Sequence, residues 1–105
     1  MEWKAQDEMR MILALSREGY RGVRRLPSGD YAGVLRMFYT AGLFVGLDAS
    51  GYKTRYCYET MSEATAALLL WDGEGDPPGG WIKAKGTGRD ELNPNLGRTE
   101  EKRQS

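Results

Sequence analysis

Histidine is absent from the 105 residues, and Cys57 is the only cysteine. Those two facts remove most side-chain catalysis. No Ser–His or Cys–His nucleophile pair can be assembled, and neither can a His-containing or four-cysteine zinc site. Cys57 has no second cysteine for an internal disulfide and reads as a small buried hydrophobe rather than a reactive thiol. Acid–base work would fall to carboxylates such as Glu59 and Glu63, and no spacing pairs them. The expectation is a protein that is not an enzyme and uses neither cofactor nor metal.

The glycine-rich stretch "WDGEGDPPGG" (71–80) is the one segment that could cradle a phosphate. A phosphate loop places its glycines before a helix, so that the helix N-terminus faces the anion, and carries a Lys-Ser/Thr pair. Here the glycines follow a helical stretch whose C-terminal dipole repels anions. Asp72, Glu74 and Asp76 add negative charge, and their spacing is not that of a calcium loop. The stretch reads instead as a stop with Gly73 ending the helix, a stiff exit at Pro77-Pro78, and a return in which Trp71 and Trp81 cover the core.

Two sets of cations could meet an anionic ligand. Lys83, Lys85 and Arg89 follow the apolar anchor "WI", and an extended segment would project Lys83 and Lys85 to one side. The other set comes from the middle of the chain. There, alternation places Arg36, Lys53 and Arg55 on one sheet face with Phe44, with Arg24 beside them. Basic side chains and aromatic rings on an open sheet could enter a groove or stack on bases.

The elements that must position these residues follow from periodicity. Residues 2–18 read as a helix with Trp3, Met9, Ile12, Leu13 and Ser16 near one face, and Gly19 is placed for a left-handed cap. Residues 22–59 alternate apolar and polar residues between the turns "PSGD", "AG" and "ASG", the pattern of an antiparallel meander of three or four strands. One face would gather Tyr31, Leu35, Met37, Leu43, Val45, Leu47, Tyr52, Tyr56 and Tyr58. Thr60 and Glu63 form a T-x-x-E capping box that opens a second helix over 61–72. Its apolar stripe, widened by Leu69 and Leu70, predicts a well-buried helix. The fold class expected is α+β, with both helices on one face of the sheet and an irregular basic tail. Residues 1–97 would form one domain, and 98–105 a disordered end.

Net charge is zero, yet residues 21–60 carry +3 and residues 61–80 carry −4. A bipolar surface suits a partner of mixed charge or a second copy of the chain, rather than general coating of nucleic acid. No apolar run is long enough to span a bilayer. The charged start "MEWKAQDEMR" is unlike a signal peptide, so the bacterial cytoplasm is the expected setting.

The W-D-G-x-G-x-P-P-G-x-W-I-K core, with "LNP" beyond it, resembles small proteins carried by proteobacterial phages and mobile elements. That resemblance implies a phage setting and a role by binding, as in anti-defence or host-interaction proteins that occlude an effector or sequester a nucleotide signal. It brings no chemistry with it, so no functional residue is carried over. The stretch "GVRRLPSGDYAGVLR", leading through "YETMSEATAAL", is similar in rhythm to the APETALA2-type DNA-binding domain of plants and to integrase arm-type domains. That likeness implies a nucleic-acid module with Arg24, Arg25, Arg36 and Arg55 as contacts. It is the alternative to binding a protein effector or a nucleotide.

Overall fold

In a computed structural model, residues 2–86 and 88–94 are described, with side chains from residue 6 onward; the expected disordered end at 98–105 lies outside them. The elements run α1 (Glu2–Arg17), β1 (Arg21–Arg25), β2 (Tyr31–Arg36), β3 (Ala41–Val45), β4 (Thr54–Tyr58), α2 (Met61–Leu70), β5 (Lys83–Gly86) and β6 (Arg89–Leu92). The chain is α+β, and its strands lie side by side in sequence order, each antiparallel to the next.

Among the described residues the sheet has six strands, not three or four. Residues 83–92, expected as part of an irregular tail, form a hairpin that docks on β4 and extends the meander. Asn93 holds its far end, donating from Nδ2 to the carbonyl of Trp81 at 2.8 Å and from its amide to that of Ile82 at 2.9 Å. Strands this short and charged carry no hydrophobic alternation, so only their partner reveals them.

The helices lie on opposite faces of the sheet, not together on one. Ala64, Ala67 and Leu68 of α2 pack with Ala32, Val34, Leu43, Val45, Tyr56 and Tyr58. Leu15 and Met11 of α1 pack with Phe44, Leu47, Tyr31, Val23 and Leu35. Successive strand residues point to opposite sides, so "YAGVLR" is apolar on both, with Ala32 and Val34 toward α2 and Tyr31 and Leu35 toward α1. The expected single apolar face therefore divides. Tyr31, Leu35, Met37 and Leu47 belong to the α1 side, and Tyr52 joins them by stacking edge-on against Phe44 at 4.8 Å. Phe44, expected on an open face, is buried under α1 at 4 % exposure.

Helix termini follow local chemistry. Gly19 has φ +108°, its amide bonds to Ser16 O, and the Tyr20 amide reaches Leu15 O, the paired bonds of a Schellman cap. The inward stripe of α1 is Met11 and Leu15, whereas Met9 and Leu13, assigned to it by periodicity, are exposed. Thr60 caps α2 by accepting from the Glu63 amide at 3.1 Å, and its hydroxyl donates to the Glu63 carboxylate at 3.0 Å. The C-cap of α2 is Trp71 in an extended conformation. Gly73 is therefore not the cap. Its φ of +96° and its closeness to the Ser28 side chain are what require glycine, and the Ser28 amide ties that turn to Asp72 O at 3.0 Å.

Candidate functional site

The segment between α2 and β5 is strapped over the α2 side of β4–β6. Trp71 and Trp81 are buried, and each meets the Tyr56 ring edge-on, at 5.7 and 5.3 Å between centroids. Trp71 Nε1 donates to Glu74 O at 3.1 Å, the Tyr56 hydroxyl to Asp76 Oδ1 at 3.2 Å, and the Tyr58 hydroxyl to Pro78 O at 2.7 Å. Burial pushes the Tyr56 and Tyr58 phenols above their ordinary range; at Tyr56 the Arg89 charge pulls the other way.

Arg89 closes this arrangement from β6. Its guanidinium carbon lies 5.4 Å from the Tyr56 ring centre and 5.7 Å from that of Trp81. It donates to Glu91 through Nε at 3.0 Å and Nη2 at 2.6 Å, to Asp76 through Nη2 at 2.8 Å, and to the Tyr56 hydroxyl through Nη1 at 2.8 Å. The hydrogen bond to Glu91 foremost, then that to Asp76, raises its pKa against partial desolvation. Arg89 is thus engaged internally and sits on the opposite face from Lys83 and Lys85. The hairpin pairs Arg89 with Gly86 and Asp90 with Lys85, which fixes that parity.

The remaining cations expected to act together are scattered. Arg24 donates through Nη1 to Leu68 O at 2.8 Å and Leu69 O at 3.3 Å, so it satisfies the carbonyl end of α2. Arg25 reaches Gly29 O and Glu8 of α1. Arg36 ends β2 on the α2 side, opposite Ala41. Lys53 precedes β4, lies over Gly46 and pairs with Asp30 at 3.5 Å. The expected face of Arg24, Arg36, Lys53, Arg55 and Phe44 therefore does not exist as one surface. Arg55 does meet Lys85 and Lys83, which share the α1 side of β4 and β5.

Apolar groups stand out elsewhere on the surface. Leu69 and Leu70 are 65 % and 78 % exposed, so α2 is not well buried as its composition predicts. Ala64, Ala67 and Leu68 are buried against the sheet and Met61 packs on that core, while the outward turn leaves the two leucines in solvent. Grooves flank them. One is lined by Ala66, Leu70, Pro78 and Gly79, the other by Arg21, Met61, Thr65 and Leu69. At the β2–β3 turn, Phe38 and Tyr39 stack at 4.7 Å while 90 % and 87 % exposed. Sequence reasoning assigned Leu69 and Leu70 to a buried stripe and did not single out Phe38 and Tyr39 as exposed, because solvent exposure of an apolar side chain leaves no mark in periodicity. It also missed Asp76 and Asn93, whose partners are remote in the chain, and Glu91, which meets Arg89 two residues away only because both lie on one face of β6.

Among the described residues no helix is long and apolar enough to cross a membrane, and no cluster of three metal-ligating side chains occurs. Comparison with protein-family models, curated proteins and solved structures finds no match.

Proposed function

We propose that this chain is a non-enzymatic binding protein that docks a protein partner through the outer face of α2. The supporting observation is the pair Leu69 and Leu70, left in solvent between two grooves at the end of a helix whose other side is fully packed. Exposed apolar surface that is continuous with grooves is the common mark of a protein contact. A nucleotide held by the loop after α2 is the weaker version of this reading, because Arg89 already binds Asp76 and Glu91. In the phage setting that the W-D-G core implies, the partner is a host protein of the bacterial cytoplasm and the role is anti-defence or host interaction.

Photo-crosslinking tests this in proteobacterial cells. Benzoylphenylalanine in place of Leu69 or Leu70 is expected to give one discrete protein adduct, and in place of Ser50 none. An adduct of twice the chain mass would identify a second copy as the partner. No adduct from either leucine position, or the same pattern from Ser50, overturns the reading.

A further inference from the structure

On the α1 side of the sheet, α1 packs against residues of β1–β3, and β4–β6 present a different chemistry. Arg55 stands directly opposite Lys85 in the antiparallel register, and Lys83 lies two residues along β5 on the same face. Like charges directly opposite one another across two strands destabilise a sheet. The nearest acid, Asp90, stands across from Lys85 but pairs with Lys83 at 3.3 Å. Among the described residues neither Arg55 nor Lys85 has an ion pair.

A second observation is independent of charge. Arg55 Nε is shielded from solvent and has no hydrogen-bond partner, the only buried side-chain nitrogen or oxygen so placed among the described residues. Native proteins rarely leave a buried donor unmet, because its desolvation is then uncompensated. A bound group that brought negative charge and several acceptor oxygens would offset the Arg55–Lys85 repulsion, and it would meet the Arg55 Nε–H as well where the guanidinium turns toward it.

We propose that Arg55, Lys85 and Lys83 form a phosphate-binding site on the uncovered half of the sheet. A guanidinium matches two phosphate oxygens with parallel N–H donors, and the lysines supply point charges beside it. Tyr52 flanks the site. The residue is 39 % exposed, and its ring packs on Phe44, which stands directly opposite Arg55. The site takes either a free phosphate compound or the backbone of a nucleic-acid strand, whose base would then stack on Tyr52.

The test uses the full chain, pyrophosphate, and a single-stranded DNA of about ten nucleotides at about 50 mM salt. Nitrogen-15 NMR reads the Arg55 Nε–H signal directly. Pyrophosphate or the DNA is expected to shift that signal, and Lys85→Glu to weaken binding by about tenfold or more. Arg36→Gln, an exposed arginine off this patch, is expected to leave binding unchanged. Tighter DNA binding that falls with salt at a log–log slope of about −2, and that Tyr52→Ala weakens, assigns the site to a nucleic-acid backbone. Pyrophosphate binding that saturates the same shift, with Tyr52→Ala silent, assigns it to free phosphate compounds. No shift of Arg55 Nε–H with either probe, or a loss in Arg36→Gln equal to that in Lys85→Glu, overturns the proposal.

Discussion

The strands β4–β6 present two sides built on opposite plans. Toward α2, Tyr56, Trp71, Trp81 and Arg89 interlock with the segment after that helix, and the acids Asp76 and Glu91 meet the one cation present. On the other side Arg55 and Lys85 face each other with no acid between them, and one buried donor lacks an acceptor. The pleat alone separates these plans. Arg55 and Tyr56 are adjacent in the chain, as are Lys83 and Ala84, yet each pair divides between the two sides. The difference teaches that packing and exposed charge are distributed residue by residue along the same strands. Substitutions on the two sides should therefore differ in size and even in sign.

The largest expected effect is on the covered side. Trp81→Ala, at a position 3 % exposed, should lower the unfolding free energy by about 3–5 kcal/mol in urea denaturation. A loss below about 1 kcal/mol would mean that the segment over β4–β6 is not part of the core. Arg89→Met comes next. Its side chain is 28 % exposed, and removing its hydrogen bonds to Asp76, Glu91 and Tyr56 should cost about 1–2 kcal/mol after discounting for solvent. Amide exchange should accelerate across 72–80 and stay unchanged in α1; equal acceleration in both would break the proposed division.

Tyr58→Phe removes only the hydroxyl that donates to Pro78 O, for about 1 kcal/mol near neutral pH. It also probes the alkaline limb. Burial raises the phenols of Tyr20, Tyr56 and Tyr58 above their ordinary value of 10.0, so the folded state keeps protons that the unfolded state has lost. The stabilisation from these groups is complete below pH 10 and declines as pH rises through the folded values. Thermal melts should show stability falling above about pH 10, less steeply in Tyr58→Phe than in the parent protein. A slope identical in the two proteins would remove Tyr58 from that account. The smallest effect has the opposite sign. Lys85→Glu on the open side replaces a like-charge pair with an attractive one and should raise stability by about 0.2–1 kcal/mol. A loss of stability there would show that the cations are already balanced within the fold.

Local signals were legible before any fold was known. Thr60 with Glu63 marks the start of α2, Gly19 marks the end of α1, and "PSGD" and "ASG" mark the turns before β2 and β4; the expected turn "AG" instead opens β3, and the chain reverses at 37–40, where the Met37 amide bonds to Thr40 O. Lys83 and Lys85 were rightly placed on one side of an extended segment. Legibility failed where the answer depended on a remote partner. "KAKG" and "RDEL" are strands because β4 offers them an edge, not because their own residues favour one. Arg24 looked like a free cation but caps a helix more than forty positions away along the chain, with its Nη1 on Leu68 O. Phe44 looked solvent-facing because alternation names two sides of a strand without saying which of them a helix will cover.

The amino-acid order by itself determined the two helices, the antiparallel succession of the first four strands, and the lack of any histidine. Those depend on residue identity and on spacings of a few positions, which act within a single element. Tertiary structure alone decided which cations meet. Register turned Arg89 inward against Asp76 and Glu91 and left Arg55 facing Lys85. A one-residue shift in strand pairing exchanges the two faces of a sheet, so the packed side and the cationic side of β4–β6 exist only once the strands are aligned.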